Sequence, residues 1–255
     1  MKKNLISIIV PYRRKKKFFQ QTINSIKNQT YKEFELIIIY DDAKKLELNF
    51  VKKAIQTIKK KKIIVNKVNL GAGESRNKGI KYSNGEYICF CDADDLWAPK
   101  KIEKQLNFMK KNKLSISHTS YNIINKYGKK ISSFDIKDQI KYRDLLKSCD
   151  IGLSTIMCTK KILKRQKFAN IKTKEDYYLW LNLLREIRVI KGMKQRLSSW
   201  RKLENSLSSP VLRRIIDAYL MYKLHTNNYF VVNIFYTLRL TIYALVKKIK
   251  IYNYF

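Results

Sequence analysis

Along the first 112 residues, short apolar runs alternate with amphipathic stretches. The run "LISIIVPY" (5–12) is β-branched and stopped by Pro11, which predicts a buried central strand. After a basic loop, "FFQQTINSIKNQ" (18–29) repeats apolar residues at helical spacing through Phe19, Ile23 and Ile26. "FELIIIYDD" (34–42) then predicts a second strand ending in Asp41 and Asp42. The alternation continues with a helix over 49–62, a strand over 63–68, a glycine loop opening a helix over 69–83, and a strand through "GEYICFCDADD" (85–95). Pro99 is expected at a first helical position, ahead of the amphipathic "KKIEKQLNFMKKN" (100–112). Strands separated by helices imply a mostly parallel sheet with right-handed crossovers, and such sheets bind ligands at the carboxyl ends of their strands. Asp41 with Asp42, and Asp92 with Asp94 and Asp95, fall at those ends.

From about residue 113 the pattern changes. "LSISHTSYNII" (114–124) alternates as a strand, "NKYGKKI" (125–131) is a turn, and 142–163 mixes a short helix with a strand. "KEDYYLWLNLLREI" (174–187) predicts an amphipathic helix whose apolar residues Tyr178, Leu181, Leu184 and Ile187, or their neighbours, face the sheet. Pro210 is expected to break the chain, and the last 45 residues carry seven Lys/Arg against one Asp/Glu. Within them "YFVVNIFYTLRLTIYALV" (229–246) approaches the length of a spanning helix but is interrupted by Asn233, Thr237, Arg239 and Thr241. Two readings fit: a helix lying on the cytoplasmic membrane face, or one packed on the preceding domain.

With 55 Lys+Arg against 20 Asp+Glu, the formal net charge of +35 creates a field that attracts polyanions. Most of the excess is lysine spread along the chain, without arginine and aromatic residues gathered on one face, so nucleic acid is not expected as a partner. The four cysteines (Cys89, Cys91, Cys149, Cys158) lack paired CxxC spacing, and no cleaved signal peptide is evident, so reduced thiols in a cytosolic setting are expected.

Against that basic background, three carboxylates within four residues (Asp92, Asp94, Asp95) repel one another unless a cation joins them. A hard divalent ion holding a diphosphate is the natural occupant; turn or helix-cap use is the alternative. Asp41 and Asp42 can accept hydrogen bonds from a nucleobase or ribose, or simply shape a turn. "GAGESRNKG" (71–79) has neither P-loop nor GxGxxG spacing, yet its helix start with Arg76 and Lys78 can meet phosphates. Glu175 and Asp176 suit a first helical turn by their charge, and either can act as a general base. His118 reads as a satisfied strand histidine and His225 as a surface one. Trp97, Trp180 and Trp200 read as packing residues, with Trp97 placed to line a sugar pocket beside the carboxylates.

Taken in order and spacing, "SIIVPY…QTINSIKNQTYKEFELIIIYDD", "NLGAGESRNKGIKYSNGEYICFCDADDLWAPKKIEKQL" and "KEDYYLWLNLL" resemble the family 2 glycosyltransferases of bacterial surface-polysaccharide and lipopolysaccharide synthesis over residues 5 to about 190. The resemblance implies a GT-A fold, a Rossmann-like α/β sheet, mixed but mainly parallel, flanked by helices. It implies inverting transfer from a nucleotide-diphosphate sugar, a UDP-sugar foremost, with Mg²⁺ or Mn²⁺ as cofactor. Asp94 and Asp92 then form the DxD motif on metal, diphosphate and ribose, with Asp95 as a possible accessory. Asp42 reads the base with Asp41 beside it, Arg76 lies near the diphosphate, and Asp176 is the catalytic base with Glu175 as neighbour. One departure stands out: where the family has Pro-x-Tyr-Asn, this chain has Pro11-Tyr12-Arg13-Arg14, so Arg13 or Tyr12 is left to stack on the base.

The expected organisation is a GT-A domain over 1–205, with a nucleotide-sugar half (1–112) and an acceptor half (113–205), followed by a basic amphipathic, membrane-associating helical tail over 206–255. Acceptor choice is assigned to loops around His118, Ser154 and Trp200. The acceptor is expected to be a glycan or lipid-linked, and the enzyme cytoplasmic and peripheral on the inner face of the cell membrane, bound to an anionic surface. A nucleotidyltransferase would instead need a glycine-rich N-terminal loop, which "PYRRKKK" lacks; a non-enzymatic polyanion-binding protein would need the localized basic face absent here.

Overall fold

The parallel half forms as the periodicity requires. In the computed structural model, which describes residues 1–203, 211–227 and 229–252, β1 (Lys2–Tyr12), β2 (Phe34–Tyr40), β3 (Lys61–Val65) and β4 (Gly85–Phe90) pair in parallel in the order β3-β2-β1-β4. The crossovers are α1 (Lys16–Lys27), α2 (Leu48–Ala54) and α3 (Ala72–Tyr82). Beyond β4 the sheet turns mixed. β9 (Met157–Thr159) is antiparallel to both β4 and β6 (Ile116–Ile124), and β10 (Ile190–Arg201) runs parallel to β6. Short β5 (Leu96–Trp97) and β8 (Gln139–Ile140) edge β10, while β7 (Lys130–Phe134) pairs with β6. Both halves of the chain thus share one ten-stranded sheet.

Alternation along the strands sends side chains to two cores. Ile6, Ile8, Val10 and Tyr12 of β1 join Leu36, Ile38 and Tyr40 of β2 beneath α1, α2 and α4 (Lys101–Lys111). Ile9, Ile37, Ile39, Ile88 and Phe90 meet the opposite layer, which holds α3 and α6 (Glu175–Glu186). Helix α6 is buried nearly all round, because α5 (Tyr142–Leu145) and α7 (Val211–His225) cover the side turned away from the sheet.

Several expectations need correction. The chain turns at Pro99, and α4 starts two residues later, because Leu96–Trp97 stay extended to pair with β10 and Lys101 N–H closes a turn on Ala98. The helix expected over 49–62 ends at Ala54, since Lys61 already pairs with Leu36 in the sheet. His225 is buried between Tyr142 Oη (2.7 Å) and Asn182 Oδ1 (2.8 Å), and burial lowers its pKa to about 4. His118 is buried with neither ring nitrogen hydrogen-bonded, and burial holds it neutral, with a pKa of about 4.

The C-terminal helices pack on the domain. Ala218, Met221 and Tyr222 of α7 enter the core against α6, and Leu240 of α8 (Phe230–Tyr252) follows, with Arg239 donating to the Leu146 carbonyl at 2.8 Å. Burying Met221 and Tyr222 stabilises by about 2 kcal/mol each, so α7 is part of the fold rather than an appendage. No helix of the described residues is long and apolar enough to cross a membrane. The expected break at Pro210 and the boundary at 205/206 lie outside the described residues.

Candidate active site

The acidic turn after β4 is tied down on all sides. Arg76 of α3, itself buried, donates to Asp92 Oδ1 at 2.8 Å and to Glu175 Oε1 at 2.5 Å, linking three elements far apart in sequence. Burial pulls the pKa of that guanidinium down, but Asp92 and Glu175 more than offset it and raise the pKa. Glycine at 73 lets α3 approach: a Cβ there would lie 2.8 Å from the Ala169 carbonyl and 3.2 Å from Glu175 Cγ. Asp95 is buried, accepting from the Ser154 hydroxyl (2.6 Å) and Arg201 N–H (2.9 Å), so it joins the turn to the 153–155 segment and to β10. Asp94 accepts from Lys15 Nζ at 2.6 Å; burial raises its pKa, with Lys15 pulling the other way. Arg201 locks the turn from behind, donating to the Asp94 carbonyl at 2.8 Å and to Gln21 Oε1 at 2.7 Å.

At the end of β2 the two aspartates divide their work. Asp41 is buried and accepts from Asn66 Nδ2 (2.8 Å), Leu70 N–H (2.7 Å) and Gly71 N–H (2.8 Å), which fixes the loop into α3; Gly71 takes the positive φ of +85° there. Asp42 accepts from Arg14 Nε at 3.1 Å, and that guanidinium holds its carboxyl below the usual range. Tyr12 is not available for stacking on a base: it is buried between Phe19 and Tyr40, and its hydroxyl donates to Glu47. Pro11 is half-buried, and Arg13 next to Tyr12 is exposed.

Beside the turn opens a cleft of about 240 Å³ lined by Asp92, Asp95, Tyr121, Ser154, Asp176 and Trp200, among others. Asp176 sits at the start of α6, where Lys174 before it adopts a left-handed φ of 65°. Burial, and then the charge of Glu175, push the Asp176 carboxyl from 3.8 up to about 7. Glu175 is committed to Arg76, so of the two acids it is Asp176 that faces the cleft. Trp97 does not line it: the ring is buried under Lys101 Nζ (4.3 Å), and its N–H supports the Ser154 carbonyl at 2.8 Å. The aromatics that reach the cleft are Tyr121 and Trp200, the latter 44% exposed. Ser154 reaches it too, whereas His118 is buried and absent from its lining.

Sequence reasoning passed over Arg14, Lys15, Tyr121 and Arg201. The first two sit in an undifferentiated basic run, and Arg201 ends a strand with no motif around it. Among the described residues no group of three or more His, Cys, Asp and Glu side chains forms a ready cation cage. Asp92 and Asp94 nonetheless fit a divalent ion that brings most of its ligands from phosphate and water, because both are carboxylates of one turn, Asp92 lines the cleft, and Asp94 already pairs with a partly exposed cation, Lys15.

The α/β sheet thus gathers carboxylates at its strand ends, beside a cleft whose lining includes the raised-pKa acid Asp176. The family described as glycosyl transferase family 2 matches residues 7–172, and the chain belongs to that family. Among its relatives are two Escherichia coli enzymes described as UDP-Glc:alpha-D-GlcNAc-diphosphoundecaprenol beta-1,3-glucosyltransferases. WfgD is 34% identical over 183 residues, 71% of this chain and 70% of that protein. WfaP is 36% identical over 194 residues, 75% of this chain and 73% of that protein. The structure of S. aureus TarS 1–349 with UDP-GlcNAc aligns with a TM-score of 0.72 at 20% identity, covering 86% of this chain and 64% of that one. The mannosyltransferase PcManGT from Pyrobaculum calidifontis, with GDP-Man and Mn²⁺, aligns with a TM-score of 0.64 at 12% identity, covering 87% and 64%. At these identities the structural likeness speaks for the fold, and the architecture is GT-A.

Proposed function

We propose that this glycosyltransferase moves a sugar, with inversion, from a nucleotide-diphosphate sugar to a hydroxyl of a lipid-linked or glycan acceptor in bacterial surface-polysaccharide synthesis. A UDP-sugar is the first donor to test, since WfgD and WfaP are described as UDP-Glc glucosyltransferases. The observation that carries the reading is Asp176, an acid with its pKa near 7 that shares one cleft with Asp92 and Trp200. An acid so poised takes a proton from an acceptor hydroxyl at neutral pH, while the oxygen attacks the anomeric carbon and the nucleoside diphosphate leaves on the other side. Arg76 keeps Asp92 and Glu175 in register, and the Glu175 charge so held beside Asp176 helps to make that carboxyl a stronger base. Trp200 offers an apolar face to a sugar ring. Asp94, with Asp92, would hold Mg²⁺ or Mn²⁺, which when bound neutralises charge on the leaving diphosphate. The base falls to Asp42 and to Arg13, the exposed cation in the stacking position.

The acceptor's lipid carrier places the enzyme at the inner membrane face. Support comes from the outer faces of the C-terminal helices, where Ile216 and Leu220 of α7 and Phe235, Leu238, Ile242 and Leu245 of α8 are exposed. Asp217, the acidic residue of this segment, is buried against Thr173 (2.7 Å), which leaves basic charge outward.

A thermal-shift and hydrolysis panel of nucleotide sugars with Mn²⁺ tests the chemistry: one donor class should raise Tm and release its nucleoside diphosphate, and silence across the panel would sink the reading. Flotation tests the surface. Removing α7 would breach the core, so the suitable variant is Leu238→Asp, which should lose binding to phosphatidylglycerol vesicles while keeping its fold; undiminished flotation would refute the attachment.

A further inference from the structure

The carboxylates of the donor site differ in how firmly their partners are held. Asp92 is bound by Arg76, whose side chain is 5% exposed and anchored at its other end by Glu175. Asp95 is bound by a hydroxyl and a backbone N–H in the interior. Asp94 alone of the three pairs with a cation that can leave: Lys15, 35% exposed, on a flexible stem, against an Asp94 side chain that is 16% exposed. Lys15 follows Arg14, which adopts a left-handed φ of 48° and reaches over Asp42. The basic loop after β1 therefore sets a tethered cation on two of the carboxylates assigned above to the donor, Asp42 and Asp94.

We propose that Lys15 is a displaceable countercharge for Asp94: it holds the donor-free site against a bare divalent cation and yields when the cation arrives with the nucleoside diphosphate. The inference rests on the metal-dependent reading given above. A partly exposed ion pair is worth about 0.2–1 kcal/mol, so surrendering it is feasible on binding yet costly enough to weaken a lone ion. Carboxylates crowded as closely as Asp92, Asp94 and Asp95 repel one another, which is why a cation is wanted there at all, and Lys15 supplies one without closing the site permanently. The motif's usual Tyr-Asn gives way here to Arg13 and Arg14, so Lys15 follows directly on two further cations.

Electron paramagnetic resonance titration of free Mn²⁺ against the full-length protein, without nucleotide, tests the idea. Lys15→Ala should bind Mn²⁺ about 1.4- to fivefold more tightly than the unchanged protein, a gain that misfolding cannot produce. Lys17→Ala removes the same charge from an exposed neighbour and should give a clearly smaller gain. Adding Asp94→Asn to Lys15→Ala should abolish the gain. Equal dissociation constants for Lys15→Ala and the unchanged protein, or equal gains for Lys15→Ala and Lys17→Ala, would overturn the proposal. If neither protein binds Mn²⁺ while the sugar-nucleotide panel responds fully in EDTA, the metal assignment fails, and this inference with it, but the transferase reading survives.

Discussion

Replacing Asp176 by asparagine should stabilise the protein while removing its turnover. The carboxyl titrates at about 7 in the fold against 3.8 in an unfolded chain, so between those values the unfolded state gives up its proton while the folded state keeps it. Stability is therefore fully retained below pH 4, declines as pH rises, and levels off above the folded pKa. At 1.36 kcal/mol per pKa unit, the penalty reaches about 2 kcal/mol at pH 5 and at most about 4 kcal/mol at pH 8. Asparagine has the same shape, keeps an oxygen for the Tyr177 N–H that now donates at 2.7 Å, and carries no charge to desolvate. The assay is urea unfolding of both proteins in EDTA at pH 5 and pH 8, where the difference in ΔG cancels the titrating groups that do not interact with Asp176. An Asp176→Asn variant that is no more stable than the unchanged protein at pH 8, or whose advantage does not grow from pH 5 to pH 8, would refute the desolvation argument. The same pKa makes kcat/KM rise with pH through about 7 and then plateau, the profile of a base that must be ionised.

Arg76→Ala should cost about 3–5 kcal/mol in urea melts, because it leaves Glu175 buried without its cation and Asp92 without a partner; Arg76→Lys should recover part of it, since one ammonium cannot hold both carboxylates in a fork. Gly79→Ala should lose about 1–3 kcal/mol, measured by thermal unfolding, because its Cβ would lie 2.4 Å from Ile9 Cγ2 and force α3 off β1. Trp200→Ala should leave Tm nearly unchanged, the ring being half in solvent, and raise KM for the acceptor more than it lowers kcat.

Local chemistry along the chain determined the parallel half of the sheet. β-branched runs closed by turn residues, separated by stretches of helical period, leave little choice of register once one face of each strand must be buried, and that is why Asp41, Asp42 and Asp92 to Asp95 could be placed at strand ends without coordinates. Sequence spacing also singled out Glu175 and Asp176 but left open which of them acts. The family resemblance pointed to Asp176, and tertiary structure supplies the physical reason, by bringing Arg76 from 99 residues away to Glu175 and leaving Asp176 at the cleft. It likewise buried Tyr12 and Trp97, exposed Trp200 in the position expected of Trp97, and drew His225 inward. Burial and long-range ion pairing depend on which surfaces meet, and a residue's own neighbours in sequence carry no record of that. The same holds for Lys15: in the chain it is one cation of a uniform run, and the fold alone sets it on Asp94.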